Sequence, residues 1–254
     1  MNTLDVAQAW FVWPALALMA GLLALAPLGR QVLKRQIVFI DLALAQACAA
    51  TTLWAGAWLH WHEAWQTQAV AALGAVSCGA LVATLSRRWP EQREALIGIL
   101  YVCGAALALL GARLDPHGQE EFMRLVAADV LWAQPEQVLT LILGALIVNL
   151  LARGAGARLQ DDRWFYPLFA LVASVAVPTL GLMLVFATLM VPALWMARGV
   201  GSAASMGLSG MALALGLAAS WWLDAPSGPC CALALGLAGL ASAWRVAPHS
   251  SGNS

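Results

Sequence analysis

Asp41 and Gln46 stand out in the stretch RQIVFIDLALAQACAA (35–50). Asp41 opens an otherwise long apolar run, and Gln46 follows five residues later. A charge inside such a segment is costly and sits where something polar binds or passes. In a regular helix the two residues subtend about 500°, or roughly 140° net, so they do not share a face. Gln46 and Thr52 lie closer to one. An acid near a helix start also suits the positive end of the helix dipole, so Asp41 has both a pore-lining and a capping reading. A second group, HWHEAW (60–65), offers His60, His62 and Glu63, and imidazole with carboxylate suits zinc and related ions. The two histidines are two residues apart, off a common helix face, so they chelate together only in a non-helical turn. DPHGQEE (115–121) presents His117, Glu120 and Glu121 in the same manner. A third group lies in LARGAGARLQDDRWFYP (151–167), which carries Arg153, Arg158, Asp161, Asp162 and Arg163 among glycines and ends at a proline. That composition suits a solvated loop or a docking element for a partner.

Other chemistries find no residues to carry them. No GxxxxGK[ST] occurs, and Lys34, the single lysine, has no glycine-rich lead-in, so ATP hydrolysis through a phosphate-binding loop would need a separate subunit. HExxH, paired catalytic carboxylates and nucleophile motifs are absent. The five cysteines, Cys48, Cys78, Cys103, Cys230 and Cys231, lie in apolar stretches without CxxC spacing, which reads as packing rather than a disulfide framework or a zinc knuckle.

The elements that position these residues are membrane helices. The chain of 254 residues is 62% hydrophobic and 10% charged, far below the roughly 25% charge of soluble domains. Thirteen cations balance thirteen anions, so no net field draws nucleic acid. A span needs about 20 apolar residues, which predicts helices near 9–28, 37–59, 67–86, 95–112, 137–152, 166–181, 183–197, 203–223 and 230–246. Pro178 and Gly181 interrupt one apolar run, so 166–197 could hold a broken or re-entrant helix. The fold class is therefore all-α and polytopic, with eight or nine spans in contact with lipid. A single membrane domain covers 1–246, and the polar tail 247–254 is expected to be disordered.

Arg30, Lys34 and Arg35, then Arg87, Arg88 and Arg93, then Arg153, Arg158 and Arg163, then Arg198 and Arg245 fall after alternate spans. The positive-inside rule makes their side cytoplasmic, with the N-terminus outside and the C-terminus inside. Trp10, Trp13, Trp58, Trp61, Trp65, Trp132, Trp221 and Trp222 fall near the outer ends, where indole prefers the interface. The first apolar run lacks a cationic lead, so it reads as a retained span rather than a signal peptide.

Four stretches together resemble the permease subunit of the ATP-binding-cassette metal-ion transporters, the zinc, manganese and iron uptake family. PLGRQVLKRQIVFIDLALAQACAA (27–50) is similar to the family's entry into its second helix, where an aromatic-Gly-Asp-x-Leu-Ala-His pattern follows paired basic residues. REALIGILYVCGAALAL (93–109) is similar to Glu-x-x-Ile-Gly-Ile-Leu. ADVLWAQPEQVL (128–139) is similar to Gly-Asp-Ile-Leu-x-x-x-x-Glu-Asp-Leu. GLMLVFATLMVPALWMAR (181–198) is similar to Gly-x-Leu-Leu-Val-x-Ala-Leu-Leu-x-x-Pro-Ala. They occur in family order.

The resemblance implies an inner-membrane importer subunit, not itself an enzyme, with no bound cofactor. A divalent metal ion, zinc first and then manganese or iron, would be its transported substrate. A cytoplasmic ATPase, a periplasmic metal-binding protein and a second permease copy would be its partners. It places Asp41 and Gln46 on the metal path, although a gapless match puts Gln46 at the family's histidine, Leu42 at its aspartate and Asp41 at its glycine. Either Asp41 substitutes through a local shift of register, or this branch passes metal without that pair. Residues 153–163 take the place of the family's ATPase-coupling helix. A permease for a metal chelate or vitamin would share the architecture. A membrane-embedded enzyme would need Asp41, Gln46 and Asn149 to converge on one enclosed site.

Overall fold

The computed structural model of the chain describes residues 3–59, 63–114, 118–126, 128–154 and 158–245, and the side-chain surroundings of all of these except 3–11, 121, 124, 125, 153, 154, 158 and 243–245. The tail 247–254 lies outside the described residues. Among the described residues ten α-helices follow one another: α1 (Thr3–Arg35), α2 (Ile40–Leu59), α3 (Ala64–Arg88), α4 (Arg93–Ala112), α5 (Gly118–Val126), α6 (Pro135–Gly154), α7 (Asp162–Leu180), α8 (Leu182–Ala197), α9 (Ser202–Leu223) and α10 (Ser227–Arg245). Single 3₁₀ turns occupy Pro90–Gln92, Val130–Trp132 and Arg158–Gln160, and no strand occurs among the described residues. The nine expected apolar helices all form. Seven, α1, α2, α3, α4, α6, α7 and α9, are long and apolar enough to cross a membrane, whereas α8 and α10 are shorter.

Two boundaries differ from the sequence expectation. The segment 113–136, expected as a connection, contains α5. Its Phe122 and Val126, one helical turn apart, are half-buried, so a short amphipathic pattern defines it, which a search for 20-residue spans passes over. Helix α1 does not stop near residue 28 but continues through Pro27 to Arg35. Proline leaves the carbonyl four residues back without its donor, here that of Leu23. In lipid that carbonyl needs another partner, and Asn149 Nδ2 of α6 donates to it at 2.8 Å. The same device recurs in α7. Pro178 frees the carbonyl of Ser174, and Gln68 Nε2 of α3 donates to it at 3.3 Å.

Helices α1 and α7 are mostly buried, while α4 and α6 turn most of their surface outwards. Helix α2 packs on α3 and α4, α1 on α6 and α8, α7 on α3, and α10 on α8 and α9. Apolar surface drives little association in lipid, so small residues that admit close backbone approach matter instead. A Cβ on Gly104 of α4 would lie 3.0 Å from Cβ of Gln46 in α2. Leucines such as Leu143, Leu150, Leu215 and Leu237 face outwards, as lipid contact requires. Trp58, Trp65, Trp132, Trp221 and Trp222 are strongly exposed, as interfacial rings would be, while Trp10 and Trp61 lie outside the described side chains.

The run 166–197 forms two helices that reverse at Gly181 rather than one broken span. Helix α7 begins beside Arg35, at the end of α1, and Ala193, near the end of α8, lies against Gly29 of α1. Gly181 takes φ +82°, and a Cβ there would also meet the amide nitrogen of Ala128 at 2.7 Å. Only glycine accepts both the left-handed backbone and the contact.

Candidate functional site

The turn that delivers Asp41 is built tightly. Gln36 has φ 54°, its N–H donates to Leu33 O at 3.2 Å, and Ile37 N–H donates to Val32 O at 3.3 Å. These are the two bonds of a Schellman motif, and the accompanying apolar pair is Val32 with Ile37, both fully buried. Helix α2 then starts at Ile40, so Asp41 occupies its first turn. The helix dipole favours an acid there. It does not supply partners, however. Asp41 is fully buried, and neither carboxylate oxygen has a hydrogen-bond partner, although the amides of Asp41 and Leu42 lie beside it. The one ion pair among the described residues is Arg35 with Asp162, so no described cation neutralises Asp41. Buried polar groups nearly always find partners, and an exception needs an explanation.

Gln46 is also buried, and its Oε1 has no partner. It lines a cavity of about 10 Å³ together with Phe122 and Val126 of α5, Val177 of α7 and Leu182 of α8, space for about one water. Asp41 is not among the residues lining this cavity, in keeping with their separation around α2. The structure therefore leaves Asp41 and Gln46 of α2 with unsatisfied oxygens on different faces. Thr51 and Asn149 are spent on backbone carbonyls: Thr51 Oγ1 donates to Ala47 O at 2.9 Å and Val70 O at 3.2 Å, and Asn149 Nδ2 donates to Leu23 O and Ala145 O at 2.8 Å each. Neither oxygen of Asp41 nor Oε1 of Gln46 joins these bonds.

Between α2 and α3, His60 and His62 lie outside the described residues. Glu63 is exposed and is the N-cap residue of α3. Its backbone N–H donates to Gln66 Oε1 at 3.4 Å, and its carbonyl accepts from Thr67 Oγ1 at 2.7 Å. His117 is likewise outside the described residues. Among the described residues no three His, Cys, Asp or Glu side chains gather as a metal set.

The segment 153–163 is not a separate helix among the described residues. Arg153 belongs to the last turn of α6, Arg158 opens the 3₁₀ turn, Asp161 caps α7, and Asp162 and Arg163 form the first turn of α7. Asp161 Oδ1 accepts from the amide of Arg163 at 3.0 Å. Asp161 thus serves as a local N-cap for α7.

Two contacts escaped sequence reading because their partners lie about a hundred residues apart. Arg35 Nε meets Asp162 Oδ1 at 3.2 Å. On the opposite end, Asp129 Oδ1 accepts from Leu131 N at 3.2 Å, Ser227 N at 3.3 Å and Ser227 Oγ at 2.5 Å. Ser227 Oγ in turn accepts from Val130 N at 2.9 Å. This latch fixes residues 128–130 against the start of α10. The signal available for it was the aspartate of ADVLW, a capping type ahead of a turn.

Comparison with known proteins agrees with this architecture. Residues 161–245, covering α7 to α10, match the ABC 3 transport family. No curated protein matches the chain. In three dimensions it is similar to a chain of PsaBC from Streptococcus pneumoniae in complex with Fab. The TM-score is 0.70 at 15% identity, over 94% of this chain and 92% of that one. That likeness shows that the two chains share their fold. The permease resemblance is thus borne out, with 181–198 inside the family match and 27–50, 93–109 and 128–139 outside it.

Proposed function

Starting from a multi-pass membrane protein with the ABC permease fold and a match to the ABC 3 transport family over α7–α10, we propose that this chain is the membrane subunit of an importer for a divalent metal ion. Zinc is the first candidate and manganese or iron the next. It works as a dimer with a separate cytoplasmic ATPase and a periplasmic metal-binding protein. The observation that carries the metal reading is Asp41, a buried carboxylate with no partner at the start of α2. Such a group is costly to keep, and a passing dication would supply the missing partner. Gln46 offers a neutral oxygen about one and a half turns further on, on another face of α2 and beside its small cavity.

In this reading the arginine-rich end faces the cytoplasm, with the N-terminus outside and the C-terminus inside. Residues 153–163 receive the movement of the ATPase as ATP binds, and α2 shifts so that Asp41 meets one side of the membrane and then the other. The dication is held by charge and by oxygen donors rather than by thiolate. Elemental mass spectrometry of metal-starved cells with and without the gene tests the proposal. Selective loss of one metal on deletion is expected and names the ion. Unchanged metal content under starvation would contradict metal import.

A further inference from the structure

The proposed function leaves Arg35 unused, although it is the most heavily bonded side chain at the arginine-rich end. It is the last residue of α1, and its side chain is only 11% exposed. Its Nε donates to Asp162 Oδ1 at 3.2 Å, its Nη2 to Leu159 O at 3.2 Å and Gln160 O at 2.8 Å, and its Nη1 to Gln31 Oε1 at 3.3 Å. The guanidinium carbon lies 4.0 Å from the centroid of the Phe165 ring. All three nitrogens and the flat face are engaged, an arrangement that a planar fork can make and an ammonium cannot. Among the described residues no other side chain donates to Leu159 O or Gln160 O.

The backbone of Arg35 is held from a third direction. Its carbonyl accepts from Arg93 Nη1 at 3.1 Å, and Arg93 Nε donates to Pro90 O at 2.8 Å. Directly after Arg35 comes the closed turn through Gln36 and Ile37, and six residues on stands Asp41. One side chain thus joins the candidate ATPase-contacting segment to the turn that sets the position of α2.

We propose that Arg35 is the positioning residue that couples residues 158–162 to α2, so that displacement of that segment by the ATPase reaches Asp41. The inference rests on the reading of this chain as an ABC permease. Without the fork, the segment can move without carrying the end of α1, and ATP is hydrolysed with less metal moved. Movement passes here through a contiguous, well-packed connection rather than through a long flexible loop.

The test uses the whole transporter, purified through a tag on this chain with its ATPase subunit and reconstituted in proteoliposomes. Zinc uptake and ATP hydrolysis are measured together for the wild type, Arg35→Ala and Arg35→Lys. Arg35→Ala is expected to lower the zinc moved per ATP by about tenfold, within the usual range of coupling between sites, while the ATPase subunit still copurifies. Arg35→Lys keeps the charge without the fork and is expected to fall between. A wild-type ratio in both variants overturns the proposal, as does uptake that falls only in step with the amount of folded transporter. If Arg35→Ala does not accumulate, the ratio for Arg35→Lys decides on the same terms. A wild type that moves no metal at all would remove the importer reading, and this inference with it.

Discussion

The polar residues that brace this bundle and the pair Asp41 and Gln46 of α2 follow opposite rules. Asn149 and Gln68 each donate to a carbonyl that a proline has freed. At the end of the bundle opposite Arg35, Asp129 accepts three hydrogen bonds. Each is explained by what it touches. Asp41 and Gln46 share one helix, both buried, and neither carboxylate oxygen of Asp41 nor Oε1 of Gln46 has a hydrogen-bond partner. In the proposed function, the difference separates polar groups that lipid forces a membrane protein to carry from those kept for a passing ligand. A satisfied group repairs the backbone; an unsatisfied one is a standing cost.

Removing each group measures that separation. The largest effect on stability is expected at the latch. Asp129→Ala strips acceptors from two backbone amides and the Ser227 hydroxyl, and should destabilise by about 1–3 kcal/mol. Thermal unfolding in detergent reads this, and an unchanged midpoint would show that the latch holds nothing. A smaller effect is expected at α1–α6. Asn149→Leu leaves Leu23 O bare and should cost about 0.6–1.7 kcal/mol, the range for polar contacts between membrane helices. Pro27→Ala in the same chain gives that carbonyl a helical N–H again, so the double variant should recover most of the loss. Failure to recover would sever the link between Asn149 and the proline. The smallest effect is expected at Asp41. Asp41→Ala loses a favourable place on the dipole, worth about 0.3–1 kcal/mol, but also removes a carboxylate that lacks partners. The midpoint should stay put or rise.

The fold was legible because membrane helices announce themselves by length and apolarity. All nine expected helices form, and the family resemblance read at 181–198 falls within the matched residues. Helix α5 was not legible, since nine residues with one apolar face carry too little signal beside 20-residue spans. The first helix was expected to end near residue 28, and nothing local revealed that Asn149, 122 positions beyond Pro27, supplies the donor missing at Leu23 O. The site was legible in part. Asp41 and Gln46 were visible as polar residues in an apolar run, and the 140° between them agrees with one lining the small cavity and the other not. The ties of Arg35 to Asp162 and of Asp129 to Ser227 span 127 and 98 residues, so only packing could show them. Residues 153–163 were expected from the resemblance to take the place of the family's coupling helix, and among the described residues Asp161 there caps α7.

The central claim is that Asp41 is kept for the transported ion and not for the fold. The most direct measurement is metal uptake per molecule of transporter for the wild type and Asp41→Ala, with the unfolding midpoint taken on the same preparations. Loss of a metal-contacting group commonly costs about 10–100-fold, and a loss of that size at an unchanged or higher midpoint is the predicted result. Wild-type uptake per molecule, or a loss that tracks a falling midpoint, would make Asp41 a structural residue and contradict the account.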